Sequence, residues 1–267
     1  MNPVILIRAS LDEEGELEIA REVFGEDMVF EYRSQIPADS LVIGRYSVLP
    51  FYVELQKELK LTGSSLINSW SAHQYIANMY WLNALEGLTP ETWLQGAWMY
   101  LPDDASFVVK GLTNSRKFQW NTHMFAETKD DVKNVVRRLM DDTMIREQGL
   151  VVRRYVPLRK FDEQINGLPV TNEWRFFCLD KKIISSAFYW SNMADELDLP
   201  AEVPEAATKL VEEALEKIWE DVRFVVVDVA ETEEGSWIVV ELNDGQMSGL
   251  SLNDPRTLYE GLLSLRG

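Results

Sequence analysis

Two apolar runs near the end of the chain, Phe224-Val-Val-Val-Asp228-Val-Ala and Trp237-Ile-Val-Val-Glu241-Leu-Asn243-Asp244-Gly245, flank the segment Glu233-Glu234-Gly235. No other feature constrains the fold as much. Apolar, β-branched runs on either side of a glycine-bearing turn read as an antiparallel hairpin. Strand side chains alternate faces, so Glu241 and Asn243 share one side while Ile238 and Val240 take the other. With the turn centred on Glu234-Gly235, Asp228 stands opposite Glu241, and two facing carboxylates repel across a ladder. A divalent cation removes that conflict, and Asp, Glu and Asn oxygens are the hard ligands magnesium takes beside nucleotide phosphates. A register one residue out would instead place both carboxylates on a solvated face.

Basic residues upstream give this hairpin company. Lys110 ends the strand Phe107-Val-Val-Lys110-Gly111, just before the polar loop Leu112 to Lys117. A lysine there reaches a phosphate while loop N–H groups approach it; taken alone it is more often an edge-strand solubility lysine, and it gains weight only from its company. The spacing is not that of a Walker loop. Arg153 and Arg154 interrupt the strand Leu150 to Val156, and on an alternating strand they face opposite ways, so at most one enters a site. Arg175 lies among large apolar groups in Glu173-Trp-Arg175-Phe-Phe. A guanidinium in such surroundings is costly unless paired, either with phosphate or carboxylate ligands or with a neighbouring acid such as Glu173.

The first third of the chain alternates strand and helix. Val4 to Ile7, Met28 to Tyr32, Ser40 to Ile43 and Ser65 to Ile67 read as strands, and Glu16 to Phe24, Pro50 to Leu59 and His73 to Leu85 as helices, a grammar of open parallel sheets. Thr89 and Pro90 look like the N-cap and first position of a short helix. Beyond residue 105 the pattern changes: strands Phe107 to Gly111 and Phe118 to Phe125, a helix Lys129 to Arg146, two hairpins (Glu173 to Tyr189 and Phe224 to Glu241), and helices Glu205 to Trp219 and Asp254 to Leu265. In open sheets ligands gather beyond the carboxyl ends of strands. Arg45, in the loop after Gly44, and Asn68, in the loop after Ile67, are therefore candidate substrate contacts, with Arg45 suited to a carboxylate. The competing reading is that Tyr46 and Trp70 seal a domain interface.

A net charge of −18, from 44 acidic and 26 basic residues, disfavours nucleic acid and anionic membrane and mildly favours a cationic or amine partner. No apolar run has the length of a membrane span. The single cysteine, Cys178, excludes an intramolecular disulfide and reads as a buried apolar residue, and the N-terminus is unlike a secretory signal. A cytoplasmic protein is expected. His73 and His123 are too few and too scattered for a histidine metal site, and each reads as a helix or strand surface residue.

The order Phe-Val-Val-Lys110-Gly, Leu-Val-Val-Arg153-Arg154-Tyr-Val-Pro, Glu173-Trp-Arg175-Phe-Phe, Asp228 and Val-Glu241-Leu-Asn243-Asp-Gly resembles the ATP-grasp superfamily, and within it the compact bacterial and viral clade named for two arginines and a lysine. The resemblance covers roughly residues 100 to 267. It implies an α/β pre-ATP-grasp domain over 1–98 and an α+β ATP-grasp domain over 99–267, whose two lobes, about 99–156 and 157–267, hold ATP between antiparallel sheets. It places Lys110 on the phosphates, Arg153, Arg154, Tyr155 and Val156 along the adenine-side hinge, Arg175 near the transferred phosphoryl group, and Asp228, Glu241 and Asn243 on Mg2+. Two features depart from the family: Arg153-Arg154 stands where many members carry an acidic hinge residue, and Ser69 to Asn78 lacks a common upstream lysine.

What the resemblance implies chemically is an ATP- and magnesium-dependent ligase joining a small-molecule or peptide carboxylate to an amine through an acylphosphate. Such chemistry needs no protein nucleophile. An ATP-binding assembly or regulatory partner protein, and a phosphotransferase acting on a hydroxyl, remain alternatives on the same site.

Overall fold

The computed structural model describes residues 1–12, 15–165, 168–190 and 202–266. Its N-terminal sheet is parallel, with β1 (Asn2–Ile7), β2 (Val29–Phe30), β3 (Ser40–Arg45) and β4 (Ser65–Leu66) in the order β2-β1-β3-β4. Helices α1 (Glu16–Phe24) and α2 (Tyr52–Leu61) make the crossovers. The Val-Ile-Leu-Ile run of β1 is continuous because both faces are covered: Val4 and Leu6 pack with Leu55 and Leu59 of α2, and Ile5 and Ile7 with Ala20 and Phe24 of α1. Ser69 caps α3 (Trp70–Ala77) through a bond from Ala72 N. This helix begins earlier and ends sooner than the sequence pattern suggests, because Met79 turns into the left-handed region at φ 57°.

A second sheet, antiparallel, has the order β5-β8-β6-β7, with β5 (Thr92–Leu94), β6 (Phe107–Gly111), β7 (Phe125–Ala126) and β8 (Leu150–Arg154). The helix expected after Thr89-Pro90 is strand β5. Trp93 pairs with Val152 and is buried against Phe107, and that burial outweighs the local capping signal. The strand expected over Phe118 to Phe125 is mostly helical turn, α4 (Trp120–His123), with Trp120 stacked on Phe125. The long helix expected to Arg146 is broken into α5 (Lys129–Leu139) and α6 (Thr143–Gln148), where the Asp142 carboxylate accepts from Met144 N and Ile145 N.

The hairpin of β9 (Lys160–Ile165) and β10 (Leu168–Thr171) has no counterpart in the sequence reading. It leads into the largest sheet, β12-β11-β13-β14, built from β11 (Glu173–Leu179), β12 (Lys182–Phe188), β13 (Phe224–Glu231) and β14 (Trp237–Asp244), with α7 (Glu205–Lys217) and α8 (Pro255–Leu263). Both expected hairpins form, the first turning at Asp180-Lys181 with both φ angles positive.

Alternation along this sheet positions the site. Trp174, Phe176 and Cys178 of β11 and Val225, Val227 and Val229 of β13 join α3 and α7 in one core. On the other face, Phe177, Leu179, Phe224 and Val226 are buried against β1, β3 and α8. Glu173, Arg175 and Asp228 continue that second face beyond the apolar cover, so polar groups emerge where the sheet turns to face β6 and β8.

Candidate functional site

A cleft lies between the β6–β8 wall and the β11–β14 sheet, enclosing about 950 Å³ of empty space with the solvent at its mouth included. Its apolar part is formed by Val108, Met124, Tyr155, Val156, Leu168, Ile238 and Val240, and its cationic part by Lys110, Lys117, Arg153, Arg154 and Lys160. Apolar and cationic groups thus line one cavity, a setting that can take a flat aromatic base together with a polyanion.

Asp228 is the cross-strand partner of Glu241, the expected pairing, although the strands turn one position earlier than expected and a bulge restores it. The expected division of faces does not hold. A bulge between Asp228 and Val229 leaves Val240 as the extra residue, the phase shifts, and Ile238 and Val240 line the cleft together with Glu241. The facing carboxylates are also neutralised differently from expectation. Arg175 Nε and Nη2 each donate 2.9 Å bonds to the two oxygens of Asp228, and Lys110 Nζ donates to Glu241 Oε1. Burial would raise the Glu241 carboxyl, but Lys110, Lys117 and Arg153 hold it below the ordinary range. Asn243 Nδ2 donates to Asp228 Oδ2 at 3.2 Å. The pairing of Arg175 with an acid is therefore real, and the acid is Asp228 rather than Glu173.

No cluster of three or more His, Cys, Asp or Glu side chains with metal-binding geometry occurs among the described residues. Glu241, Asp228 and the amide of Asn243 nevertheless form a hard oxygen set beside a phosphate-type lysine. That set fits a magnesium ion that draws its remaining ligands from a nucleotide, and it does not fit a self-sufficient metal cage.

Arg153 and Arg154 diverge as the alternation requires. Arg153 is buried, donating to Thr89 Oγ1 at 2.7 Å, to Thr92 Oγ1 at 3.1 Å and to the Val240 carbonyl, and burial brings its guanidinium down to about 10 despite Glu241. It ties the two walls of the cleft together. Arg154 turns outward to Glu91. Tyr155 sits edge-on to Phe125 at 5.1 Å.

Two residues the sequence reading passed over belong to the site. Lys117 donates to Tyr189 Oη at 2.6 Å and lies over the rings of Tyr189 and Trp190; burial opposes its charge, but Tyr189, Glu173 and Glu241 raise its pKa above the usual lysine value. Only its polar-loop setting could have flagged it. Glu173 is 4% exposed, and burial pushes its carboxyl up to about 7 against the pull of Lys117, with Asp228 and Glu241 adding to the rise.

An unfolded glutamate titrates at about 4.3. Between that value and 7 the folded protein binds the extra proton, so stability falls as pH rises through this window and the loss is complete above it. Glu173→Gln removes the effect. Denaturant unfolding of the nucleotide-free protein should show the variant gaining on the parent by roughly 3 kcal/mol between pH 4 and 8. A gap that stays constant would return Glu173 to an ordinary carboxyl.

The structure removes Arg45 and Asn68 from the candidate acceptor surface. Arg45 is fully buried, with Nε and Nη2 on the two oxygens of Glu16 at 2.8 Å and further bonds to the carbonyls of Gly245 and Ser248. Asn68 is equally buried. It donates to the Phe224 carbonyl and Asp244 Oδ1 and accepts from the backbone N–H groups of Arg223 and Phe224, joining the N-terminal sheet to β13 and β14. Both side chains are out of a substrate's reach, buried at 0% exposure and committed to protein partners. His73, expected at a surface, is also buried and bonds Asp244 Oδ2 through Nδ1 at 2.9 Å.

The model of an ATP-grasp domain family, the third family of the clade named for two arginines and a lysine, matches residues 96–262. No curated protein matches the sequence. Among solved structures, D-cycloserine synthetase DcsG is similar over 100% of both chains at 13% identity with a TM-score of 0.64. A RimK domain ATP-grasp protein from Sphaerobacter thermophilus is similar over 99% of this chain and 100% of its own, at 16% identity and a TM-score of 0.59. The ATP-grasp ligase PsnB, solved with minimal precursor, Mg and ADP, is similar over 98% of this chain and 97% of its own, at 12% identity and a TM-score of 0.58. At these identities the likeness is one of fold.

Proposed function

The chain belongs to that ATP-grasp domain family of the two-arginine, one-lysine clade, and we propose that it is an ATP- and magnesium-dependent ligase joining a carboxylate to an amine through an acylphosphate. The observation that carries this reading is the cleft between two antiparallel sheets, lined by apolar side chains and by Lys110 and Lys117, with the Lys110–Glu241 and Arg175–Asp228 pairs beside it. Residues 1–98 serve as the pre-ATP-grasp domain, and 99–156 and 157–267 as the two lobes that close on ATP.

Each residue has a role in this scheme. Val108, Tyr155, Val156, Ile238 and Val240 flank the base. Arg153, already committed to Thr89, Thr92 and Val240, fixes the hinge and contributes charge at a distance, while Arg154 lies at the rim. Lys110 and Lys117 neutralise phosphate oxygens, and Arg175 faces the phosphoryl group in transfer. Asp228, Glu241 and Asn243 would hold magnesium, which would supply charge neutralisation on the phosphates when bound. A substrate carboxylate oxygen forms the new bond to the γ-phosphorus as the bond to ADP breaks; the nitrogen of the neutral amine then bonds the acyl carbon as phosphate leaves, and the proton it sheds goes to that phosphate. A cytoplasmic setting suits this use of ATP and the free, buried Cys178, and no helix among the described residues is long and apolar enough to cross a membrane.

The test is mass spectrometry of the protein with ATP, MgCl2 and pooled carboxylates, amino acids and peptides. One amide product matched by equal ADP and phosphate supports the ligase. Phosphate on a hydroxyl, or nucleotide binding without turnover, would overturn it. Calorimetry supplies a narrower check. Glu241→Gln frees Lys110 but weakens the oxygen set, so the magnesium dependence of AMPPNP binding should fall by about tenfold, the effect of one lost ligating charge of roughly 1.4 kcal/mol. Unchanged dependence removes Glu241 from the metal.

A further inference from the structure

Two cations from opposite walls of the nucleotide cleft meet on one ring. Lys117 comes from the loop between β6 and α4, Arg175 comes from β11, and Tyr189, which directly follows β12, touches both. Lys117 Nζ donates to Tyr189 Oη at 2.6 Å and stands 4.2 Å from the ring centroid, and the guanidinium carbon of Arg175 stands 4.8 Å from the same centroid. Resting on the ligase reading above, we infer that Tyr189 is a positioning residue of the reaction, one that sets Lys117 against Arg175 so that both cations meet the γ-phosphoryl group at a fixed separation.

Two like charges gathered for one phosphoryl group repel each other before it arrives. The negative face of an aromatic ring offsets part of that repulsion. The hydroxyl then orders the lysine. Burial holds the Tyr189 phenol above its ordinary value against the pull of Lys117, so a charged ammonium donates to a neutral oxygen. An ammonium carries three hydrogens, and among the described residues Tyr189 is the only acceptor that Lys117 bonds. Two donors remain for phosphate oxygens, on a side chain that lines the nucleotide cleft.

Tyr189 is itself held in place. Its backbone N–H donates to the Glu173 carbonyl at 2.9 Å, and its ring stands edge-on to Trp190 with centroids 5.2 Å apart. Trp190 lies over Lys117 as well, and its Nε1 donates to Thr171 Oγ1 at 3.3 Å. These anchors lie on β10 and β11, whereas Lys117 stands on a loop. Order therefore passes from the sheet through the ring to the lysine, and the rotamer freedom that Lys117 would lose on meeting a phosphate is already lost before nucleotide arrives.

The test is a double-variant cycle read by calorimetry of the full chain with magnesium–AMPPNP and, separately, with AMP. Tyr189→Phe keeps the ring beside Arg175 and removes only the oxygen that orders Lys117. AMPPNP should then bind about fivefold more weakly, the effect of leaving one lysine to be ordered on binding, while AMP, which lacks the outer phosphates, should bind as before. In the Lys117→Met background the same change should have no effect, because the hydroxyl acts through Lys117. Tyr189→Leu removes the ring as well and should weaken AMPPNP by about twentyfold. Thermal melting checks that each variant is folded, and Tyr189→Phe carries the test if Tyr189→Leu does not fold. Equal losses for AMPPNP and AMP would make Tyr189 a structural residue, and a fivefold loss that persists beside Lys117→Met would give the hydroxyl another partner. Either result overturns the inference, as does unchanged AMPPNP binding in Tyr189→Phe. A parent that does not bind magnesium–AMPPNP sinks the nucleotide reading and this inference with it, whereas binding in the parent without coupling between Tyr189 and Lys117 sinks the inference alone.

Discussion

Arg175→Met is expected to lower ATP turnover by about 10² to 10³, the effect of removing a preorganised cation from developing phosphoryl charge. It should also cost stability. Both nitrogens that bind Asp228 are lost, together with the bond to the Gly249 carbonyl and the contact over the Tyr189 ring. Asp228 is 1% exposed, so an uncompensated carboxylate remains in the sheet, at a cost of about 3–5 kcal/mol. The double variant Arg175→Met with Asp228→Asn separates the two effects. The amide that replaces the carboxylate carries no charge and can still bond Asn243, so denaturant unfolding should return much of the lost stability while turnover stays as low as in the single variant. If Arg175→Met keeps parental turnover, the guanidinium is only the structural partner of Asp228. If the double variant is no more stable than the single, the buried charge is not the source of the loss.

Family, fold class and the cleft-facing strands were readable because they rest on signals that are local and redundant. Strand periodicity and turn residues mark β13 and β14 as a hairpin, but beside the turn Ala230 faces Ile238 and Glu231 faces Trp237, one residue off the predicted register, and the bulge brings Asp228 back opposite Glu241. The misreadings sit where a distant contact decides. Thr92-Trp93-Leu94 is a strand because β8 is there to pair with it, and Trp120 lies in a helical turn because Phe125 and Tyr155 lie beside it. The bulge that turns Val240 into the cleft leaves no mark on the sequence, since it inserts one residue into an apolar run.

Legibility at the site divides along the same line. Residues expected on the nucleotide, Lys110, Arg153, Arg154, Tyr155 and Val156, come together with Glu241 along one cleft because short strands carry them at fixed phase. Their partners could not be read: that Asp228 engages Arg175, or that Arg153 grips Val240 from across the cleft, depends on contacts 53 and 87 residues apart in sequence. Charge type was legible and charge pairing was not. Lys117 shows why, since a lysine in a polar loop has the same local sequence whether it waves in solvent or stacks on Tyr189.

Arg45 and Asn68 illustrate the same limit from the other side, because a loop at a strand's carboxyl end either meets a ligand or meets another domain. Here it meets the end of β14. Arg45→Ala should therefore act on stability and leave substrate recognition alone. Glu16 and Arg45 are both fully buried, and removing the guanidinium leaves the Glu16 carboxylate with only the hydroxyls of Tyr46 and Tyr259, while the carbonyls of Gly245 and Ser248 lose their donor. Breaking one side of such a pair costs about 3–5 kcal/mol, which in a chain of this length lowers the melting temperature by roughly 10 °C. Combining Arg45→Met with Glu16→Leu removes both charges and should restore part of the loss, though not all of it, because the two carbonyls stay unpaired at about 1–3 kcal/mol each. At temperatures where the single variant is folded, its KM for ATP and for the amine should match the parent. A raised KM with an unchanged melting temperature would mean that the Arg45–Glu16 pair opens to a substrate carboxylate, and would restore Arg45 to the acceptor site.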